Sequence, residues 1–179
     1  MNRRLRNAVR EVLEVIYEQA FLACSYGFRP ARSAHDAVRT LTQSVYQGEV
    51  SWILEADIAA FFDSLDRTEL KKRLEIRVAD GSLLRLIGKC LHVGVLDGEA
   101  VVEPELGTVQ GSVLSPLLGN VYLHYVLDLW FERVVKPRLH GEAYLMRYID
   151  DFVVCFQHRT DAERFLEESG CRWLAKPFR

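Results

Sequence analysis

Three aspartates in this sequence stand where apolar segments end. Asp57 follows the apolar segment 52–56, and Asp150 and Asp151 interrupt the apolar and aromatic stretch 144–156. Carboxylates at the ends of buried strands repel one another and resist desolvation, and divalent cations remove that conflict. Two Mg²⁺ ions bridged by such groups activate an attacking oxygen and stabilise a leaving one. Because Mg²⁺ takes few protein carboxylates together with substrate phosphates, three aspartates suit a metal centre that acts on phosphates.

Each of these features is ordinary when it is taken alone. An Asp-Asp pair in a hairpin is usually a turn, and a single aspartate such as Asp57 commonly begins one. The glycine-containing segment 107–112 alone reads as a connection between elements. Only the combination of the features, in this order along the chain, favours a catalytic site over simple turns.

The elements that must position these residues mix helical patterns with antiparallel hairpins. Helices are predicted over 3–22, 33–47, 66–78, 82–91, from 115 to about 129, and from 161 onwards. Ser33, Asp66, Ser82 and Ser115 are the predicted N-caps, and Gly81 is a predicted helix stop. A mostly buried strand is predicted over 52–58, and hairpins over 93–102 and 144–156, the second turning at Asp150-Asp151. This mixture predicts the α+β class.

Composition excludes several classes of protein. The 179 residues are 49% hydrophobic with a net charge of −2, which excludes intrinsic disorder and argues against a simple basic nucleic-acid-binding domain. No apolar run reaches the length of a membrane span, and residues 1–4 lack the apolar stretch of a signal peptide. The four cysteines are widely spaced without a CxxC pair, which predicts no zinc site and a reducing, cytoplasmic location of the bacterial type.

Four sequence blocks follow one another along the chain: SYGFRP with RSAHDA (25–30 and 32–37), ADIAAFFD (56–63), GTVQGSVLSPLLGN (107–120) and RYIDDF (147–152). Taken together and in this order, they resemble the reverse transcriptases encoded by group II introns. The last block is similar to the YxDD signature of that family. The resemblance implies a right-hand polymerase palm with an antiparallel sheet, packed helices and partial fingers.

The resemblance also implies a set of catalytic roles. Asp57 and Asp150 would bind two Mg²⁺ ions, the Ile58 carbonyl would complete one coordination shell, and Asp151 would be the third acidic member. The 3′ hydroxyl of a DNA primer would attack the α-phosphorus of a dNTP on an RNA template. Catalysis would then rest on positioning and charge neutralisation.

Nucleotide contacts follow from the same resemblance. Phe62 stands five residues after Asp57, at the family's position for a steric gate that excludes the 2′ hydroxyl of rNTPs; its alternative is a core aromatic. Gln110, Gly111 and Tyr148 are expected at the incoming nucleotide.

Arg29 and Arg32 are weaker candidates for a phosphate or template contact, because surface arginines are more often simply solvated.

The sequence departs from the family within one motif and at both ends. Ile149 stands in the YxDD signature where the family usually has a small residue, and a β-branched side chain there is bulky and stiff. The first fingers block and the thumb are not found, so the expected organisation is partial fingers over 1–50, palm over 51–160 and an incomplete palm end over 161–179. A chain of this kind is expected to be weakly active or inactive alone.

Two alternatives stay open at this point. The chain could be a catalytically silent remnant or an RNA-binding part of an intron maturase. It could also be another palm enzyme, such as an RNA-dependent RNA polymerase or a nucleotide cyclase, although Phe62 and the YxDD-type signature disfavour this. Intron RNA is an expected partner and a membrane is not, while the sequence leaves the oligomeric state open.

Overall fold

A computed structural model describes residues 3–58, 60–92 and 114–173 of the chain. The chain divides into two compact units, each built from segments that are distant in sequence. The first unit comprises Met1–Phe21 and Ala60–Tyr122, and the second comprises Leu22–Ala59 and Leu123–Arg179. The predicted division into fingers (1–50), palm (51–160) and palm end (161–179) is a division by function and not by compact units, so it stays a prediction.

Two helices come first along the chain. One strand follows them in the first half of the sequence, and two more strands lie in the second half. The helices are α1 (Arg3–Glu18), α2 (Ala34–Gln47), α3 (Phe61–Ser64), α4 (Arg67–Glu75), α5 (Gly81–His92), α6 (Ser115–Leu123) and α7 (Arg159–Trp173). The strands are β1 (Trp52–Ala56), β2 (Ala143–Tyr148) and β3 (Asp151–Phe156). Two π-helical segments, His124–Asp128 and Phe131–Val135, and the short 3₁₀ helix Lys136–Arg138 lie between α6 and β2. The predicted α+β class is confirmed.

The first unit is a helical cluster. Helix α1 buries Val9, Leu13 and Tyr17, which recur every four residues and so form one face of the helix. The Tyr17 hydroxyl donates to the carbonyls of Arg73 and Leu74 at 3.3 and 3.2 Å, which fixes the end of α4 against α1. Helix α1 ends at Glu18, earlier than the predicted residue 22.

Side-chain caps begin the helices largely where the sequence predicts them. Ser33 caps α2 in a reciprocal capping box with Asp36, and Asp66 accepts from the amides of Thr68 and Glu69 at the start of α4. The predicted start of α5 was wrong. Asp80, not Ser82, caps this helix, because its side chain accepts from the amides of Ser82 and Leu83. Gly81, the predicted helix stop, is already the first residue of α5.

The second unit is organised around a three-stranded antiparallel sheet with strand order β1-β3-β2. Strand β3 is central, and its register pairs Trp52 with Phe156 on one side and Tyr148 with Asp151 on the other. The predicted hairpin over 144–156 is confirmed, although its turn is Ile149-Asp150, with Asp151 already in β3. A sequence alone sets such a turn only to within a residue or two.

The two faces of this sheet carry different partners because side chains alternate along a strand. Met146 and Cys155 point to one face, where the half-buried Ala37 and Leu41 of α2 pack against them. Phe156 points to the opposite face and meets Phe165 of α7, with ring centroids 5.6 Å apart. The sheet is therefore packed on both faces.

Strand β1 is more exposed than predicted, and helix α2 also leaves an apolar residue in solvent. Trp52 and Ile53 of β1 are 44% and 57% exposed, because β1 is an edge strand rather than a central one. Val38 of α2 is 60% exposed.

In residues 3–58, 60–92 and 114–173, no helix combines the length and apolar character that crossing a membrane requires.

Candidate functional site

The aspartates of the site come from the adjacent ends of two neighbouring strands. Ala56 of β1 pairs with Phe152 of β3, so Asp57 and Asp151 stand one position beyond this pair. Asp150 forms the β2–β3 turn with Ile149. Strand pairing thus brings Asp57 and Asp151, which are distant in sequence, to one end of the sheet.

The electrostatics of Asp150 reflect this crowding of negative charge. Partial burial raises the pKa of Asp150 above its ordinary value, and the negative charges of Asp151 and Asp57 add to the shift. Asp57 and Asp151 are themselves exposed to solvent. A carboxylate whose ionised form is disfavoured by like-charged neighbours is one that a cation would stabilise.

The donor set suits an ion that takes few ligands from the protein. Over 3–58, 60–92 and 114–173, no group of three or more His, Cys, Asp or Glu side chains is placed so that it could hold a metal ion. Mg²⁺ does not require such a group, because it is usually held by one or two carboxylates together with water and substrate phosphates. A metal at this end of the sheet would therefore take only one or two of these carboxylates, which is the way in which Mg²⁺ is usually held.

A groove of about 370 Å³ opens beside the aspartates, between α2 and the sheet. Its walls are mostly apolar and include Val38 and Leu41 of α2, while Asp57 and Asp151 stand in its lining. Tyr148, one of the predicted nucleotide contacts, lines the same groove and is partly exposed. The groove thus joins a carboxylate end to an apolar surface on which a base or sugar could lie.

The segment 24–27 packs directly on the β2–β3 turn. The Arg147 amide donates to the Cys24 carbonyl at 2.8 Å, and the Tyr26 amide donates to the Arg147 carbonyl at 2.9 Å. Gly27 approaches the turn so closely that an added Cβ would lie 2.6 Å from the Ile149 Cγ1 atom and 2.8 Å from its amide nitrogen. Glycine is required here because no side chain fits between the segment and the turn.

A buried ion pair lies next to the turn, and sequence reasoning missed it. Arg147 and Asp128 are both fully buried, and the Arg147 Nε donates to Asp128 Oδ1 at 2.7 Å. Burial acts to lower the pKa of Arg147, but the negative charge of Asp128 outweighs it and raises that pKa. The available signal was an arginine within the apolar strand pattern AYLMRY, a position that a solvated arginine would not occupy.

The two arginines that were predicted to contact phosphate differ in their surroundings. Arg29 is largely buried, and its Nη1 donates to the carbonyls of Leu22 and Ser25 at 2.7 and 2.8 Å. This use of the guanidinium favours a structural role in the loop over the predicted phosphate contact. Arg32 is exposed and stacks over the Tyr26 ring at 5.1 Å, so its phosphate contact stays a prediction.

The remaining predicted nucleotide contacts are Phe62, Gln110 and Gly111. Phe62 belongs to the first unit, in α3, where its ring meets that of Phe61 edge-on at 5.1 Å. Gln110 and Gly111 lie outside the described residues, as does the predicted hairpin over 93–102. Ile58 is half-buried and directly follows Asp57.

Comparisons with known proteins agree with the motif order. The family described as "Reverse transcriptase (RNA-dependent DNA polymerase)" matches residues 1–175. The group II intron-encoded protein LtrA of Lactococcus lactis subsp. cremoris is 39% identical over 144 residues, covering 77% of this chain and 24% of that protein. Protein YkfC of Escherichia coli (strain K12) is 34% identical over 146 residues, covering 80% of this chain and 38% of that protein.

Solved structures support the fold. A structure of apo telomerase from Candida tropicalis, truncated from its C-terminal domain, aligns with a TM-score of 0.64 at 14% identity, covering 90% of this chain and 36% of that one. At such identity the likeness concerns the fold alone. The chain spans about a quarter of the length of LtrA. The predicted resemblance to group II intron proteins is confirmed, and the chain belongs to the reverse transcriptase (RNA-dependent DNA polymerase) family.

Proposed function

We propose that the chain carries the nucleotidyl-transfer centre of an RNA-directed DNA polymerase of the group II intron type. The observation that supports this most directly is the convergence of Asp57, Asp150 and Asp151 at one edge of the sheet, where their charges act on one another. The proposed substrates are an RNA template, a DNA primer and a dNTP, with intron RNA as a further partner. A cytoplasmic location is part of the same proposal.

In this proposal Asp57 and Asp150 hold two Mg²⁺ ions, with the Ile58 carbonyl as an additional ligand. Mg²⁺, when bound, activates the primer hydroxyl and stabilises the charge that develops on the leaving group. Asp151, exposed beside them, adds negative potential that favours cations at this end of the sheet.

The groove between α2 and the sheet positions the reactants. Val38 and Leu41 supply apolar walls that limit water beside the reacting phosphate, and Tyr148 offers a ring to the nucleotide. A bond forms between the primer 3′ oxygen and the α-phosphorus, while the bond from that phosphorus to the pyrophosphate oxygen breaks. Phe62, Gln110 and Gly111 are proposed as the sugar gate and nucleotide contacts.

Two measurements on the 179-residue chain test the proposal. Calorimetric titration with Mg²⁺ is expected to show binding that Asp57→Asn and Asp150→Asn each weaken by about tenfold or more, because each removes a charged ligand. Primer extension on an RNA template should depend on Mg²⁺ and be lost in Asp150→Asn, even where the rate of the parent chain is low. Glu163→Gln, an exposed carboxylate paired with Arg159, is the matched control.

RNA filter binding separates the alternatives. Binding that is equal in all variants and in the absence of Mg²⁺, with no Mg²⁺ titration and no extension, would favour an RNA-binding protein without catalysis. Extension with rNTPs at the efficiency of dNTPs would favour an RNA polymerase instead.

A further inference from the structure

We propose that Arg147 is a positioning residue that aims Asp150 by holding the carbonyl of Ile149. The inference rests on the proposed nucleotidyl-transfer function, in which Asp150 is a metal ligand. It concerns the β2–β3 turn and the side chains that surround it, all within the second unit.

One edge of the guanidinium is anchored in the interior. Nε donates to Asp128 Oδ1 at 2.7 Å, and Nη2 donates to Asp128 Oδ2 at 2.8 Å, so the pair is bidentate. Both side chains are fully buried. A planar fork that is fixed by two charged bonds has little freedom to rotate, so the direction of its remaining donors is set.

The remaining donors point at the catalytic turn and at the segment packed on it. Nη1 donates to the Ile149 carbonyl at 2.8 Å, and Nη2 also donates to the Ser25 Oγ at 2.8 Å. The Ile149 carbonyl belongs to the peptide group that leads into Asp150. Holding that oxygen fixes the plane of this peptide, and with it the direction in which the Asp150 side chain leaves the backbone.

The turn itself is in a conformation that needs such support. Ile149 has a φ of 64°, in the left-handed region that a β-branched residue rarely adopts. Strained backbone of this kind persists only where its surroundings determine it, and it is concentrated at functional sites. Two described contacts hold the turn in this conformation: the hydrogen bond from Arg147 Nη1 to the Ile149 carbonyl, and the close approach of Gly27 to Ile149.

The competing explanation is that the ion pair only stabilises the fold. The geometry separates the two roles, because the contacts to Asp128 use Nε and Nη2, whereas the bond to the turn uses Nη1. Lysine keeps the charge beside Asp128 but presents a single nitrogen, so it cannot hold Asp128, Ser25 and Ile149 in the same geometry. Arg147→Lys therefore removes positioning while it retains the buried charge.

The experiment compares the parent chain with Arg147→Lys and with Arg164→Lys, a matched control whose arginine forms an exposed pair with Glu168. Hydrogen exchange is measured at the turn 148–151 and, as an internal reference, along α7. Mn²⁺ binding is measured from the electron paramagnetic resonance of the free ion. Where extension is detectable, kcat and KM for dNTP are determined separately, at a temperature at which each variant is fully folded by circular dichroism.

In Arg147→Lys, we expect exchange at the turn to rise by about tenfold with α7 unchanged, because the local opening costs less. Mn²⁺ affinity should fall by about tenfold, and kcat should fall by roughly tenfold to a hundredfold with KM little changed, since misplacing a catalytic group by an ångström has effects of this size. Arg164→Lys should change none of these values.

If Arg147→Lys does not fold, Asp128→Asn tests the same idea, because its amide accepts only one of the two bonds that set the direction of the guanidinium. Exchange at the turn that is unchanged in the folded variant overturns the inference, whatever the catalytic result. A parent chain that binds no Mn²⁺ through Asp150 contradicts the proposed function instead, and the exchange measurement still decides the role of Arg147 in holding the turn.

Discussion

The two strand ends that supply the proposed metal ligands are supported in opposite ways. Asp150 sits in a turn enclosed by the Arg147–Asp128 pair and by the segment 24–27. Asp57 follows β1, an edge strand whose Trp52 and Ile53 are substantially exposed. In the described residues, β1 has a strand neighbour on one side only.

This difference indicates that the site is pre-organised on one side and adjustable on the other. A catalytic group is held most accurately by residues whose own positions are locked by packing and hydrogen bonds, which is the condition of Asp150. An exposed edge strand opens at lower free energy than a buried one, which is the condition of Asp57. We expect substitutions around the turn to cost far more stability than substitutions along β1.

The largest effect is expected for Asp128→Ala, which leaves the fully buried Arg147 without its charged partner. Removing one member of a buried pair typically costs about 3–5 kcal/mol, because the remaining charge is uncompensated. The free energy of unfolding is measured by urea denaturation with circular dichroism.

The control for this experiment is Glu163→Ala, which breaks the exposed pair with Arg159. An exposed pair of this kind is worth about 0–1 kcal/mol, so the control should stay close to the parent. Equal losses of unfolding free energy in Asp128→Ala and Glu163→Ala would show that the buried pair beside the turn contributes no more to stability than an exposed pair.

The next largest effect is expected for Gly27→Ala. The added Cβ would lie 2.6 Å from the Ile149 Cγ1 atom, so the turn or the segment must shift, at a cost of about 1–3 kcal/mol. Gly81→Ala is the matched control, because nothing lies within 4 Å of its Cβ position, and a change within about 0.5 kcal/mol is expected.

A double-mutant cycle identifies the clash responsible. Ile149→Ala removes the Cγ1 atom but leaves the backbone nitrogen at 2.8 Å, so it should relieve only part of the cost of Gly27→Ala. Full additivity of the two substitutions would mean that the Ile149 side chain takes no part in the clash and that the backbone nitrogen accounts for it.

Local sequence patterns were sufficient for most elements of the fold. Alternation and turn residues predicted the β2–β3 hairpin, and Ser33 and Asp66 predicted helix starts, because each signal lies within a few residues of its effect. The order of the motifs predicted that Asp57 lies close to Asp150 and Asp151. Asp80 was missed as the α5 cap because the neighbouring Ser82 offered an equally good local signal.

The support of the turn was beyond reach of these patterns. Ser25 meets Arg147 across 122 residues, and no local periodicity records such a contact. The exposure of β1 was also missed, because an apolar run is compatible with a central strand and with an edge strand. Burial of a strand depends on its neighbours in the sheet, which are a property of the whole fold.

A smaller effect, of opposite sign, is expected for Asp150→Asn without divalent cations. Because folding raises the pKa of Asp150, the folded state favours the protonated form, and the stability of the parent falls as pH rises through that pKa. Asp150→Asn should therefore be more stable than the parent at neutral pH. The two proteins should converge well below the ordinary pKa of an aspartate, about 3.9, where the side chain is protonated in both states.

Mg²⁺ should reverse this order. Free Mg²⁺ at ten times its dissociation constant stabilises a one-site protein by about 1.4 kcal/mol, and Asp150→Asn should lose most of this gain. Thermal unfolding with and without Mg²⁺ measures it. If Mg²⁺ does not change the stability of the parent, this result counts against a metal site at Asp150.

The smallest effect on the free energy of unfolding is expected for Trp52→Ala in β1. This substitution tests how little the exposed strand β1 contributes to stability. Trp52 pairs in register with Phe156, yet Trp52 is 44% exposed while Phe156 is fully buried. Trp52 also lies under the Arg159 guanidinium at 5.4 Å, an exposed contact worth about 0.5–1 kcal/mol. Trp52→Ala should cost about 1 kcal/mol, against about 3–5 kcal/mol for Phe156→Ala. Comparable losses for both would show that β1 is as firmly held as β3, and Asp57 would then be as fixed as Asp150.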